Sequence, residues 1–216
     1  MINSIIFDFD GVLVESVDIK TQAFARLFTH EGQGVTDRVV EYHLQNAGVS
    51  RFDKFRYIYE NILKRPLTEE RFEELCLRFA GLVFDEVTSA PYVKGAREFL
   101  DNYANHVYRC FVSTATPQGE IEEIIRRRHM QGYFKAVHGA PKKKSGIVGE
   151  ILATHGINAA VAVYVGDAMS DYKAASANGV PFIARIAGDV EIFTGINCIK
   201  IPDLTGLPEA LARLNS

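Results

Sequence analysis

An α/β fold, a doubly wound parallel sheet with an inserted helical cap, is the architecture this sequence predicts. Three observations predict it. A short apolar run at the N-terminus breaks at acidic and glycine residues. From residue 90 onward, apolar strand-like runs alternate with helical patterns, which implies right-handed βαβ crossovers and a parallel sheet covered on both faces. Between these two regions lie three successive helical patterns with no strand signal. The core is therefore read as 1–15 plus 90–216, with 16–89 as the cap. With 47% hydrophobic and 24% charged residues, the 216-residue chain can bury a core of that size.

In chain order, Ser4 to Phe9 is rich in Ile and Phe and suits a buried strand. It runs into Asp8-Phe9-Asp10-Gly11, so carboxylates stand at its C-terminal end. Val17 to His30 reads as a helix on the spacing of Ala23, Leu27 and Phe28. In the insertion, Thr36–Ala47, Arg51–Leu63 and Thr68–Val87 are helical, punctuated by Gly48-Val49-Ser50 and Arg65-Pro66-Leu67. Thr68 suits an N-cap, with Glu69 and Glu70 in the favourable first turn. Beyond Pro91 come helix Ala96–Tyr103, strand Cys110–Ser113 and helix Gln118–His129. A short run Ala136–His138, helix Gly146–Thr154, strand Ala160–Val165, helix Met169–Asn178 and strand Pro181–Ala184 follow.

Bulk properties narrow the function classes. Lys and Arg total 24 against 27 Asp and Glu, a net charge of −3. That balance argues against nucleic acid or an anionic membrane as partner. Cys76, Cys110 and Cys198 are three in number, far apart and without a CxxC pair, which fits a reducing compartment rather than a disulfide framework or zinc site. The N-terminus does not read as a signal peptide, and no apolar stretch reaches the roughly 18 to 20 residues of a membrane span. A cytoplasmic protein is expected, and nothing in the sequence selects an oligomeric state.

Open parallel sheets bind ligands beyond the carboxyl ends of their strands. There the sequence places Asp8 and Asp10, then Ser113-Thr114-Ala115-Thr116, then Gly166-Asp167 to Asp171, with Lys142-Lys143-Lys144 entering a nearby helix. Carboxylates gathered in one crevice repel, and a divalent cation removes that cost. Oxygen donors favour a hard ion, with magnesium (Mg2+) the usual choice where phosphate completes the shell. A lysine and a serine beside it suit a phosphoryl group. An aspartate can attack phosphorus, and a second carboxylate can move the leaving-group proton. Residues i and i+2 of an extended strand point the same way, so Asp8 and Asp10 are expected to share one site.

Here the sequence resembles the haloacid dehalogenase superfamily, in its phosphatase and phosphomutase branch. Asp8-Phe9-Asp10-Gly11-Val12-Leu13-Val14-Glu15-Ser16 is similar to the first motif of that family, DxDGxLxxS. Val112-Ser113-Thr114, a lysine at a helix start and Gly166-Asp167-x-x-x-Asp171 resemble the other three, in order. The resemblance implies Asp8 as nucleophile and metal ligand. It implies Asp10 as general acid/base, contributing its backbone carbonyl to the metal, and Asp167 as a further ligand. Asp171 would hold a metal-bound water or the lysine. Ser113 and one lysine, Lys144 ahead of Lys142, would hold the phosphate, and Gly11 and Thr114 would contact substrate. Glu15, where many relatives have Asp, is given no functional weight. A carboxylate at Asp10 separates phosphatases from true dehalogenases of this family.

The Gly48-Val49-Ser50-Arg51 turn resembles the loop of β-phosphoglucomutases, where Arg51 would grip substrate bidentately. His43 and Lys54 flank it and read as surface residues. Phe52, Phe55, Tyr57, Tyr59 and Phe72 read as cap core or as the hinge surface. The expected function is Mg2+-dependent hydrolysis of a small phosphorylated metabolite through an aspartyl-phosphate. A sugar-phosphate mutase is the first alternative, and a non-catalytic scaffold of the same fold the second.

Overall fold

The computed structural model describes residues 1–188 and 192–215. Its elements are β1 (Ser4–Phe7), α1 (Val17–Phe28), α2 (Gln33–Gln45), α3 (Arg51–Tyr57), α4 (Glu69–Ser89), α5 (Ala96–Tyr103), β2 (Arg109–Pro117) and α6 (Gln118–Arg127). They continue with β3 (Phe134–Ala140), α7 (Lys144–Thr154), β4 (Ala162–Gly166), α8 (Met169–Ala177), β5 (Phe182–Arg185), β6 (Ile199–Ile201) and α9 (Leu207–Leu214). Among the described residues the strands form one parallel sheet in the order β3-β2-β1-β4-β5-β6. All four residues of β1 are buried, as a central strand covered on both faces requires.

The order runs one way from β1 through β2 to β3, and the other way from β4 to β6. This puts the topological switch at the β1/β4 pair, where an open sheet leaves a crevice at its carboxyl edge. Ile5, Phe7, Val163 and Val165 point into one hydrophobic layer; Ile6, Phe111 and Tyr164 point into the other. That alternation follows from the two-residue period of the strand.

Residues 17–89 consist of helices and the turns that join them, with no strand. Thr68 caps α4, its Oγ1 accepting from the Arg71 N–H at 3.3 Å. Ser50 likewise caps α3 through the Asp53 N–H. The expected 51–63 helix begins at Arg51, but its second half, Ile58–Leu63, is wound as a π-helix. Phe24, Phe55 and Phe79, from α1, α3 and α4, meet with ring centroids 4.8–6.0 Å apart and form the middle of this helical layer. Of the aromatic residues expected there, Phe55 and Tyr59 are buried and Phe52 and Phe72 half-buried. Tyr57 is exposed and stacks on Tyr42.

Two elements were not expected. β6 has three residues, too few to carry a strand period. α9 has Leu207, Ala210 and Leu211 at helical spacing on its buried face, with proline in its first turn.

Candidate active site

β1 stops at Phe7, one residue before Asp8. Asp8 and Asp10 therefore do not share a site through strand alternation. Asp8 is the first residue beyond the strand, with its N–H still bonded to the Val165 carbonyl at 2.9 Å. Asp10 lies in the turn that follows, which folds back so that the Gly11 N–H meets the Val14 carbonyl at 2.8 Å. Gly11 sits at φ +77°, and a Cβ there would stand 2.3 Å from Asp167 Oδ2. Glycine thus permits both the left-handed turn and the close approach of the β4 end. Arg185 fixes the turn from outside, donating to the Gly11 carbonyl at 3.1 Å and pairing with Glu15 at 2.6 Å.

The two carboxylates have different surroundings. Asp8 Oδ1 accepts from the Phe9 N–H at 2.7 Å, and Oδ2 lies 2.8 Å from Lys144 Nζ. Lys144 opens α7 and is buried. It also reaches Asp171 Oδ1 at 2.7 Å. The Tyr164 hydroxyl lies 2.9 Å from that same oxygen, and the Ala168 N–H occupies Asp171 Oδ2 at 3.0 Å. Asp171 is thereby turned toward the lysine. Oxygens of Asp8, Asp167 and Asp171 lie within 4.8 Å of one another. Burial foremost, offset in part by Lys144 and reinforced by Asp171 and Asp10, pushes the Asp8 carboxyl up from 3.8 to about 7. Burial and the charge of Asp8 drive Asp167 upward too. Lys144 is driven up despite its burial, because two carboxylates hold its proton.

Asp10 faces the other way. Ser16 donates to its Oδ1 at 2.6 Å, leaving α1 without a side-chain cap, and Thr116 donates to its Oδ2 at 2.9 Å. Lys20 pairs with Oδ2 and donates to Thr116 at 2.8 Å. Burial would raise Asp10, but the Lys20 charge and these hydrogen bonds outweigh it and hold the carboxyl below its ordinary value. Lys20 had no expected role. It lies one turn into α1 beside Asp18 and Thr21, a pattern that reads as a solvated face.

A cavity of about 60 Å³ lies over these groups. Asp8, Asp10, Asp167, Lys144, Thr114 and Thr116 line its floor; Arg51, Lys54 and His43 line its roof. Ser113 does not line it. Its side chain is fully buried on the other parity of β2, with Oγ lacking a partner. Lys142 is turned to Glu150, and Lys143 precedes α7 as an exposed residue. His43 and Lys54, expected at the surface, are 6% and 2% exposed. They are buried because each lies against the Phe24 ring, His43 with centroids 4.6 Å apart and Lys54 Nζ at 5.5 Å, and because they bond to each other. Arg51 is also buried, paired with Glu120 of α6 at 2.5 Å and stacked on Phe79. The turn before it carries Gly48 at φ +74°, where a Cβ would fall 2.1 Å from Ser170 Oγ.

Residues 5–185 match the model of a family described as haloacid dehalogenase-like hydrolase. A curated relative, the phosphorylated carbohydrates phosphatase of Thermotoga maritima, is 26% identical over 144 residues, covering 66% of this chain and 63% of the relative. The match thus spans less than two thirds of that protein's length. The β-phosphoglucomutase of Clostridium difficile shares the fold, with a TM-score of 0.82 at 19% identity over 100% of this chain and 98% of that one. So does a phosphatase from Haemophilus somnus, described as a predicted phosphoglycolate phosphatase, with a TM-score of 0.78 at 17% identity over 97% and 98%. The matched family model spans β1 through β5, with the acidic ends of β1 and β4 inside it, and on that ground the chain belongs to the haloacid dehalogenase-like hydrolases.

Proposed function

We infer that this protein is a Mg2+-dependent phosphatase that hydrolyses small phosphate monoesters through an aspartyl-phosphate on Asp8. The observation that carries the reading is the carboxylate group at the switch point: Asp8 with Asp167, and Lys144 held beside them by Asp171. The donors fit a hard divalent cation. Asp8 must be ionised to attack phosphorus, yet burial and neighbouring carboxylates oppose its charge. A cation held by Asp8, Asp167 and the Asp10 backbone would supply the missing positive charge and polarise the phosphoryl oxygens.

The chain's own groups supply the rest. Lys144 neutralises and orients the phosphoryl group beside Asp8. Thr114 and Thr116, which line the cavity, take the hydroxyl role expected of Ser113. Asp10 gives a proton to the leaving alkoxide and then removes one from the water that cleaves the aspartyl-phosphate. Residues 16–89 act as a cap. The cavity over the carboxylates has a volume of about 60 Å³, and movement of the cap would widen it for substrate.

The Asp8→Asn variant should lose turnover of 4-nitrophenyl phosphate while its circular dichroism is unchanged. Full activity in that variant would remove Asp8 as nucleophile. A sugar-phosphate mutase is the second reading, favoured by the Gly48–Arg51 turn that closes on Ser170 over the site. Release of inorganic phosphate, measured against isomerised sugar phosphate, separates the two.

A further inference from the structure

Four cations line the cavity: Lys20, Arg51, Lys54 and Lys144. Three of them already face carboxylates. Lys20 pairs with Asp10, Arg51 with Glu120, and Lys144 with Asp8 and Asp171. Lys54 pairs with none among the described residues, although it is almost fully buried. Its Nζ donates to the His43 carbonyl at 3.3 Å and meets His43 Nδ1 at 2.9 Å. Burial, then the charges of Lys54 and Lys20, pull His43 down to about 3, so its ring is neutral and Nδ1 is an acceptor. An ammonium has three donors, and His43 uses two of them.

Without a counter-ion, burial and then the charges of Lys20 and Lys144 pull the Lys54 ammonium down to about 7, and a ligand anion beside it would restore its full charge. Arg51 also lines the cavity, but its charge already faces Glu120. Phe24 and Phe79 line the cavity as well. We propose that Lys54, positioned by His43, is a second anion subsite in the roof of the cavity, and that the substrates are phosphate monoesters carrying a second anionic group, a carboxylate or a further phosphate, away from the scissile phosphate. The proposal rests on the phosphatase reading of the Asp8 site. His43 acts as a positioning residue: it fixes the direction of the Lys54 ammonium without touching the substrate.

The test uses substrate pairs that differ only in the distal group, with kcat/KM compared within each pair. Phosphoglycolate against ethyl phosphate probes a carboxylate, and glucose 1,6-bisphosphate against glucose 1-phosphate probes a second phosphate. A charge-assisted hydrogen bond predicts a preference of about 10- to 100-fold for the anionic member of at least one pair. In Lys54→Met that ratio should approach one through a raised KM; in Lys54→Arg it should persist. A ratio near one in the wild-type protein overturns the subsite without any variant. An unchanged ratio in Lys54→Met overturns it as well. If the wild-type protein cleaves none of these esters, the phosphatase reading has failed separately. Calorimetry of phosphonoacetate against ethylphosphonate then decides the subsite. Tighter phosphonoacetate binding that Lys54→Met abolishes supports it, and equal affinities overturn it.

Discussion

Replacing Asp8 by Asn separates the electrostatic account of the site from its chemistry, because the side-chain shape stays and the charge goes. In the metal-free protein the Asp8 carboxyl sits at about 7 instead of 3.8, chiefly through burial. Between those values the folded protein holds a proton that the unfolded chain has released. Stability therefore falls as pH rises through this window, and the full loss is present above about 7. At about 1.4 kcal/mol per pH unit, the wild-type protein gives up about 4 kcal/mol by pH 8. The Asp8→Asn variant avoids that loss. Its amide oxygen can still accept from the Phe9 N–H, but its amide NH2 then faces Lys144 Nζ, which lies 2.8 Å from the carboxylate oxygen it replaces, and donor against donor costs about 1 to 2 kcal/mol.

The net expectation is that Asp8→Asn is more stable than wild type by about 2 kcal/mol at pH 8 in the presence of a chelator. At pH 4 that advantage is gone. Saturating Mg2+ should reverse the order, since a ligand at 100 times its Kd adds about 2.7 kcal/mol to the protein that binds it. Urea unfolding at a series of pH values reads all three effects. His43 titrates in both proteins and drops out of the difference. A variant less stable than wild type at pH 8 without metal, or a difference that does not change between pH 4 and pH 8, would refute the assignment of Asp8 as a carboxylate strained by burial.

Three further outcomes are expected. Gly11→Ala forces a side chain onto Asp167 Oδ2 at a left-handed position, so phosphatase activity should drop by about 100-fold and the Mg2+ concentration for half-activation should rise; wild-type values for both would show that the turn yields. His43, pulled from 6.5 to about 3 by burial and by Lys54 and Lys20, stays neutral where the unfolded chain is protonated. Its contribution is complete above pH 6.5 and is lost as pH falls toward 3, so His43→Asn should flatten the acid limb of the stability profile, by up to about 5 kcal/mol. Phe79→Ala opens a hole where Phe24, Phe55 and Arg51 converge. It should cost about 3 to 5 kcal/mol by chemical denaturation.

Much of this molecule is legible in its sequence because some signals are local. The β1 run, the acidic turn after it and the alternation beyond residue 90 each depend on neighbours in the chain, and these place the sheet and its carboxyl edge. Parity along β2 is different. Ser113, Thr114 and Thr116 put hydroxyls on both faces of the strand, so residue type does not show which face meets the cavity; the position of β2 beside β1 decides it. His43 and Lys54 were misplaced for a related reason. Polar residues on helices read as solvent-facing unless the opposing surface is known, and that surface is the Phe24 ring on a different helix. Lys20 belongs to the same class, since only the folded turn brings Asp10 to it. α9 is the opposite case: Leu207, Ala210 and Leu211 carried a readable period.

The division of charges in the site bears on how one crevice performs two steps under the proposed mechanism. The first step needs a proton on Asp10 and none on Asp8; the metal-free protein favours the reverse, with Asp8 pushed up and Asp10 held down. A cation held by Asp8 and Asp167 would favour the ionised nucleophile, and the incoming phosphoryl group would bring negative charge toward Asp10 and compete for Lys20. Once the alkoxide has left with its proton, Asp10 is again an ionised carboxylate beside Lys20, Ser16 and Thr116, which is the state a base requires to receive a proton from water. Lys20 therefore favours the ionised Asp10 that the second step uses and opposes the protonated Asp10 that the first step uses. That bias favours hydrolysis of the phosphorylated enzyme over a long-lived aspartyl-phosphate. A mutase acting on the same carboxylates would have to hold water away from Asp10 while its intermediate turns over.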